Sequence, residues 1–231
     1  MEALAELERL QIQLLHRIAE LELSYLPQHH PISSSKPNAL PANDTEVETE
    51  ARLSALLLSN GVDDFSFKWV PSDFYDWPLE VRRDALGAAS IDHLCKSIVL
   101  VNTQAQSDVI DCRDRNNSKY YVLIVQYTAR FNAEAVKNFL YSLNNGKIAK
   151  KKFNLRLAPE ETSTGLTGFV HNAVTCIGMK TDIPVILDEA IVKLTPGFFW
   201  LGGGEVYLKL GIRTSQLIKF INPFIVSCSD N

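Results

Sequence analysis

The 231-residue chain carries few of the signatures by which metal, cofactor or nucleophile chemistry is read from sequence. Its four cysteines, Cys95, Cys112, Cys176 and Cys228, form no CxxC pair, and no histidines cluster beside them, which argues against a zinc site. There is no P-loop, and no GxGxxG lies between a strand and a helix, so triphosphate and dinucleotide chemistry have little support. No GxSxG elbow offers a nucleophilic serine. No apolar run approaches the roughly 20 residues of a membrane span. The opening stretch MEALAELERLQ is charged and helical in pattern, without the apolar core of an export signal, and it is too acidic for a transit peptide. The expectation is a cytoplasmic chain with reduced thiols and no cofactor. Net charge is −4 with a pI near 5.8, which excludes wholesale coating of nucleic acid but leaves room for a local basic groove.

What is present is ordinary for a soluble globular protein: 46% hydrophobic and 22% charged residues. Residues 1–26 read as one helix. Leu4, Gln11, Ile18 and Tyr25 recur every seven positions, as do Leu7, Leu14 and Leu21, giving the seam of a short coiled coil. A Pro-, Ser- and Asn-rich stretch at 27–46 reads as a linker, with His29 and His30 solvated. Residues 47–231 form the remaining domain. A helix capped by Asp44 or Thr45 runs to about Asn60, with Gly61 behind it. Strands are expected over 65–70, 97–102 and 119–128, then near 168–171, 174–178, 184–187, 198–201 and 205–210, with a last one in PFIVS. Helices are expected from Pro78 to Leu86, from an Asn132 cap to Leu143, and from a Thr214 cap to Phe220. The fold class is α+β, a mixed α/β domain with a central mixed sheet or barrel, flanking helices and an extra N-terminal helix.

Chemistry has few places to sit. In 94-LCKSIVLV-101, Lys96 abuts a run of strand-forming aliphatics, so it either snorkels at the surface or is a charge held in a cleft. Two glycine-bearing turns, 165-GLTGFVHNAVTCIG-178 and 202-GGG-204, can bring backbone N–H groups close to a ligand. Cys95 and Cys176 could pair with His93 or His171, but buried cysteines are usually inert. Lys147, Lys150, Lys151, Lys152 and Arg156 make a local positive run suited to phosphates, or simply a solvated loop.

In order and spacing, three stretches resemble the YbaK/prolyl-tRNA-synthetase-associated family of aminoacyl-tRNA editing domains. They are 84-DALGAASIDHLCKSIVLV-101, 165-GLTGFVHNAVTCIGMKTDIPVILDEAI-191 and 202-GGGEVYLKLGIRTSQLIKFI-221. Together they place the resemblance over residues 48 to 222. It implies a deacylase acting in trans on mischarged tRNA, with water as nucleophile and no metal. Lys96 falls on the family's active-site lysine. Gly168 and His171 would complete the catalytic set, His171 as a polar contact or water-positioner. Ser97, Asn172, Thr175, Gly202, Gly203 and Gly204 would contact substrate. Lys147, Lys150, Lys151, Lys152 and Arg156 would hold tRNA. Glycine-turn amides and a cation would stabilise the oxyanion, worth roughly 3–4 kcal/mol per donor.

The chain departs from the family at Thr175-Cys176, where relatives often carry Ser-Pro, and at His171-Asn172, where they often carry glycine. Those departures keep a second reading open: an inactive module that binds tRNA or a synthetase. A third is a hydrolase of another small ester or thioester. The N-terminal seam would tether the domain to itself or to a synthetase.

Overall fold

Alternation and capping decide most of the elements. The structure is a computed structural model that describes residues 44–230, all within one unit spanning Ala42–Asn231. The expected coiled coil at 1–26, the histidine pair and most of the linker lie outside the described residues. Helix α1 (Asp44–Ser59) begins inside the expected linker. It buries Leu53 and Leu57 completely and closes with Gly61 at φ +73°, where Val62 N–H donates to the Leu57 carbonyl. Strand β1 (Phe65–Trp69) turns Phe65 and Phe67 toward the core. Helix α2 (Leu79–Leu86) follows Pro78 and stops at left-handed Gly87, whose N–H caps the last turn.

Strands β2 (Cys95–Asn102) and β3 (Tyr120–Gln126) are apolar on both faces, the pattern of strands covered on both sides. After a short β4 (Arg130–Phe131), the Asn132 side chain accepts from Ala135 N–H and caps α3 (Ala133–Leu143). Then come β5 (Leu155–Leu157), α4 (Glu160–Thr167), β6 (Val185–Asp188) and α5 (Glu189–Val192). They are followed by β7 (Phe198–Gly202), β8 (Leu208–Arg213), α6 (Thr214–Ile221), β9 (Phe224–Val226) and β10 (Ser229–Asp230).

The central sheet is mixed, in the order β5-β2-β3-β6-β9, with antiparallel pairs around β2 and parallel pairs around β6. A second, antiparallel sheet runs β1-β8-β7, and β4 pairs with β10. The two larger sheets meet at one bridge, Leu94 to Trp200. One face of the central sheet packs with α1 and the second sheet through Leu53, Val99, Ile124, Phe199 and Ile212. The other face lies under α3, through Leu100, Tyr121, Leu123, Val136 and Leu140. The mixed α/β class with flanking helices is as expected. Among the described residues no helix is long and apolar enough to cross a membrane.

Three expectations are corrected. The strands at 168–171 and 174–178 do not form. Phe169, Ala173, Cys176 and Ile177 are buried as strand residues would be, but Asn172 (φ +65°) and Gly178 (φ +69°) break any ladder, and the backbone is held by isolated bonds such as Ala173 N–H to Val170 O. Helix α4 was not anticipated, because its sequence EETSTGLT lacks an apolar stripe. The cap before α6 is Arg213; Thr214 is the first helical residue, and its buried hydroxyl has no hydrogen-bond partner.

The anchoring of α1 is testable. Leu53→Ala or Leu57→Ala is expected to cost about 2–5 kcal/mol in urea unfolding, whereas Leu58→Ala, on the exposed side, stays within about 0.5 kcal/mol.

Candidate functional site

Strand β2 is paired with β3 along one edge but loses its neighbour on the other edge at its N-terminal half. Strand β5 pairs with it only at Leu100–Asn102, after which Ala158 N–H makes one more bond to the Val99 carbonyl. From the other end, β7 reaches it only through the Leu94–Trp200 bridge. Between those two attachments the edge of β2 is uncovered, and a cavity of about 370 Å³ opens there. Residues 95–99 form one wall, Trp200, Leu201, Gly202 and Lys209 a second, and Glu160, Ser163 and Thr164 of α4 a third. Phe74, Arg82, Leu86 and Tyr127 close one end, and His171, Asn172 and Val174 line the loop side.

Its charges are lopsided. Lys96, Arg82 and Lys209 line the cavity against a single carboxylate, Glu160, among the described residues. Lys96 is half-buried, with its Nζ 5.6 Å from the Tyr127 ring centroid and no carboxylate partner among the described residues. Arg82 stands over the rings of Phe74, Tyr75 and Tyr127 at 5.6, 5.8 and 5.7 Å. Its Nε donates to the Trp77 carbonyl at 2.9 Å and Nη2 donates to the Tyr75 carbonyl. Those two bonds leave guanidinium donors unused. Burial raises the hydroxyl pKa of both Tyr75 and Tyr127, so they remain neutral donors.

Lys209 is 4% exposed, unusual for a lysine. Its Nζ donates to the Tyr75 hydroxyl and to the Val206 carbonyl at 3.2 Å, and it lies 4.3 Å from the Tyr75 ring centroid. Burial first, and the Arg82 charge second, push its pKa down to about 7.

Of the residues singled out from sequence, Lys96, Ser97, His171, Asn172 and Gly202 converge on this cavity. The Ser97 hydroxyl is buried and has no hydrogen-bond partner. Gly202 is required by crowding, since a Cβ there would lie 2.4 Å from the Val174 carbonyl oxygen. Gly168, Thr175, Gly203 and Gly204 do not line it. The amide of Gly168 donates to Thr164 O, that of Gly203 to Leu208 O and that of Gly204 to Ala173 O, so those three amides are committed within the fold. Thr175 is fully buried. In the basic run Lys147, Lys151 and Arg156 are exposed, while Lys150 pairs with Glu134 at 2.9 Å and Lys152 is half-buried. Arg82, Lys209, Tyr75 and Tyr127 were not singled out from sequence.

No thiol–imidazole pair forms around Cys95. Both His93 ring nitrogens are engaged, with Ser90 Oγ at 2.8 Å and Pro196 O at 3.1 Å. Burial pushes the Cys95 thiol well up and the Cys176 thiol to about 12. No group of three or more His, Cys, Asp or Glu side chains converges among the described residues.

Residues 85–220 match the aminoacyl-tRNA editing domain, and the chain belongs to that family. Among solved structures it is similar to a candidate trans-editing enzyme for prolyl tRNA synthetase, with 18% identity over 79% of this chain and 98% of that one and a TM-score of 0.60. It is also similar to a scaffold protein redesigned by epitope backbone grafting, at 16% identity, 79% and 97% coverage and a TM-score of 0.59. The hypothetical protein APE2540 matches at 14% identity, 78% and 99% coverage and a TM-score of 0.57. At these identities the structural likeness is one of fold. No protein of curated function matches the chain.

The raised thiol pKa values give a direct test. All four cysteines are free and buried, so at pH 8 the thiolate fraction is far below that of an exposed cysteine. A thiol-reactive dye is expected to label none of the four in the native protein within minutes and all four in guanidinium. Rapid native labelling of Cys95 or Cys176 would contradict the burial described.

Proposed function

We propose that the chain is a trans-acting aminoacyl-tRNA deacylase, a metal-independent and cytoplasmic enzyme that removes a wrongly attached amino acid from tRNA. The observation that carries this reading is the cation-lined cavity at the open edge of β2, in a protein whose net charge is −4. A terminal adenosine with its phosphates is polyanionic, and hydrolysis of its aminoacyl ester builds further negative charge on the carbonyl oxygen. Lys96, half-buried and without a carboxylate partner among the described residues, holds that charge or the terminal phosphate. Ser97 offers an uncommitted hydroxyl, and His171 and Asn172 stand beside it on the loop side. Gly202 is the glycine of the two turns that lines the cavity, so the backbone contribution to oxyanion binding falls to it. The apolar wall of Leu86, Leu94, Trp200 and Leu201 receives the amino-acid side chain.

The commitment of the Gly168, Gly203 and Gly204 amides to internal bonds supports a second reading. With fewer oxyanion donors, the same cavity would serve an inactive module that binds the tRNA end.

Deacylation of a panel of mischarged tRNAs separates the two. Hydrolysis of one or two members, falling about 10²–10³-fold in Lys96→Ala, is the expected result. Binding of tRNA without hydrolysis of any member would favour the module.

The exposed cations of the basic run carry the tRNA body in this reading. Combined charge reversal at Lys147, Lys151 and Arg156 is expected to weaken tRNA binding and to flatten the dependence of log Kd on log salt, by about one unit for each phosphate that is no longer neutralised. An unchanged slope would assign that run to solvent.

A further inference from the structure

The proposed hydrolysis needs a group to take a proton from the attacking water, and the family resemblance assigned none. Glu160, the one carboxylate of the cavity, is solvent-exposed on α4, and His171 is exposed on the loop. Lys209 is buried in the wall. It sits on β8, the central strand of its sheet, with Lys68 of β1 on one side in register and Gly202 of β7 on the other. Both Lys209 and Gly202 line the cavity, and the carbonyl of Val174 packs close against Gly202 beside them.

Hydrogen bonding fixes the amine. Nζ has two acceptors, the Tyr75 hydroxyl and the Val206 carbonyl. An ammonium would carry a third N–H, and no carboxylate is paired with it among the described residues. A neutral amine donates two bonds and keeps one lone pair. The Arg82 charge from α2 also opposes a cation there, while Lys96 of β2 lines the same cavity and Lys68 of β1 stands exposed in register with Lys209. Tyr75 and Tyr127 present neutral hydroxyl-bearing rings.

We propose that the Lys209 amine is the proton acceptor for the hydrolytic water, a catalytic residue paired with the cation of Lys96. Water attacks the ester carbonyl carbon as its proton passes to Nζ. A C–O bond forms, and the carbonyl electrons move to oxygen beside Lys96. Collapse of the intermediate breaks the ester bond, and the ribose oxygen leaves with the proton that Lys209 returns. Products are the free amino acid and the tRNA hydroxyl end, with Lys209 neutral again. The depressed pKa, about 7, lets one group accept and return the proton near neutral pH.

This inference rests on the deacylase reading, and the test separates the two. On whichever mischarged tRNA the wild type hydrolyses, kcat is measured from pH 5.5 to 9 for wild type, Lys209→Met and Lys209→Arg. The wild type is expected to show an acid limb with a midpoint near 7. Both variants should lose about 10²–10³-fold in kcat and lose that limb, with KM little changed. NMR titration of the Lys209 side chain in the folded wild type, which needs no variant to fold, should give the same midpoint. Retained kcat with an unaltered limb in Lys209→Met overturns the proton-acceptor role and leaves the deacylase reading intact. A side-chain midpoint near the ordinary 10.5 overturns it equally, because the amine would then be charged throughout. An acyl adduct on Lys209 in the intact mass after turnover would make it a nucleophile and also overturn it. A wild type that hydrolyses no member of the panel sinks the deacylase reading, and this inference with it.

Discussion

The pairing of β2 with β3, and its mismatch with everything else that touches β2, is the constraint on which the site depends. Cys95–Val101 pairs residue for residue with Tyr120–Gln126, so β2 is held straight and buried along one edge. Its other edge is covered by β5 only over the last three residues. A full-length neighbour there would satisfy the backbone and leave no cleft. The fold tolerates the exposed edge because Ala158 and the Leu94–Trp200 bridge close it at both ends. What lies between becomes a chamber with a strand backbone for a floor. Lys96 takes its place from that geometry.

The electrostatics follow from how the walls are assembled. Arg82 is fixed by two backbone carbonyls and three aromatic rings, a cation held in place with guanidinium donors still unused. Its charge adds to burial in disfavouring protonation of Lys209. The cavity thus holds one cation set rigidly, one at the strand edge and one amine balanced between states. Reversing this arrangement would take more than a single surface charge, because each of the three is seated on a different element: α2, β2 and β8.

Much of this was legible in the sequence, and the failures have physical causes. The β2 and β3 runs, the Asn132 cap, the Gly61 helix end and the convergence of Lys96, Ser97, His171, Asn172 and Gly202 could all be read, the last group through the family resemblance. Segment 168–178 was misread because burial without a ladder leaves the same apolar residues in the chain as a strand does. Lys209 was passed over because in VYLKLG it alternates with leucines, as a lysine on a solvated face would. Only tertiary packing of α2 and the Phe74–Tyr75 turn over that face buries it. Arg82 and Tyr127 likewise carry no local signal; their contacts span the turn at 74–77, α2 and the end of β3. The Gly168, Gly203 and Gly204 amides looked available because sequence shows a donor and not its acceptor.

Gly202 and Gly204 bind the loop side of the chamber to the second sheet. The backbone at Gly202 runs hard against the Val174 carbonyl, and the Gly204 amide grips the carbonyl of Ala173. One hydrogen bond and one close backbone approach thus hold successive residues of the loop against the second sheet. The aperture therefore exists before anything enters it. In the deacylase reading, a rim fixed in this way makes the width of the aperture a property of the folded chain.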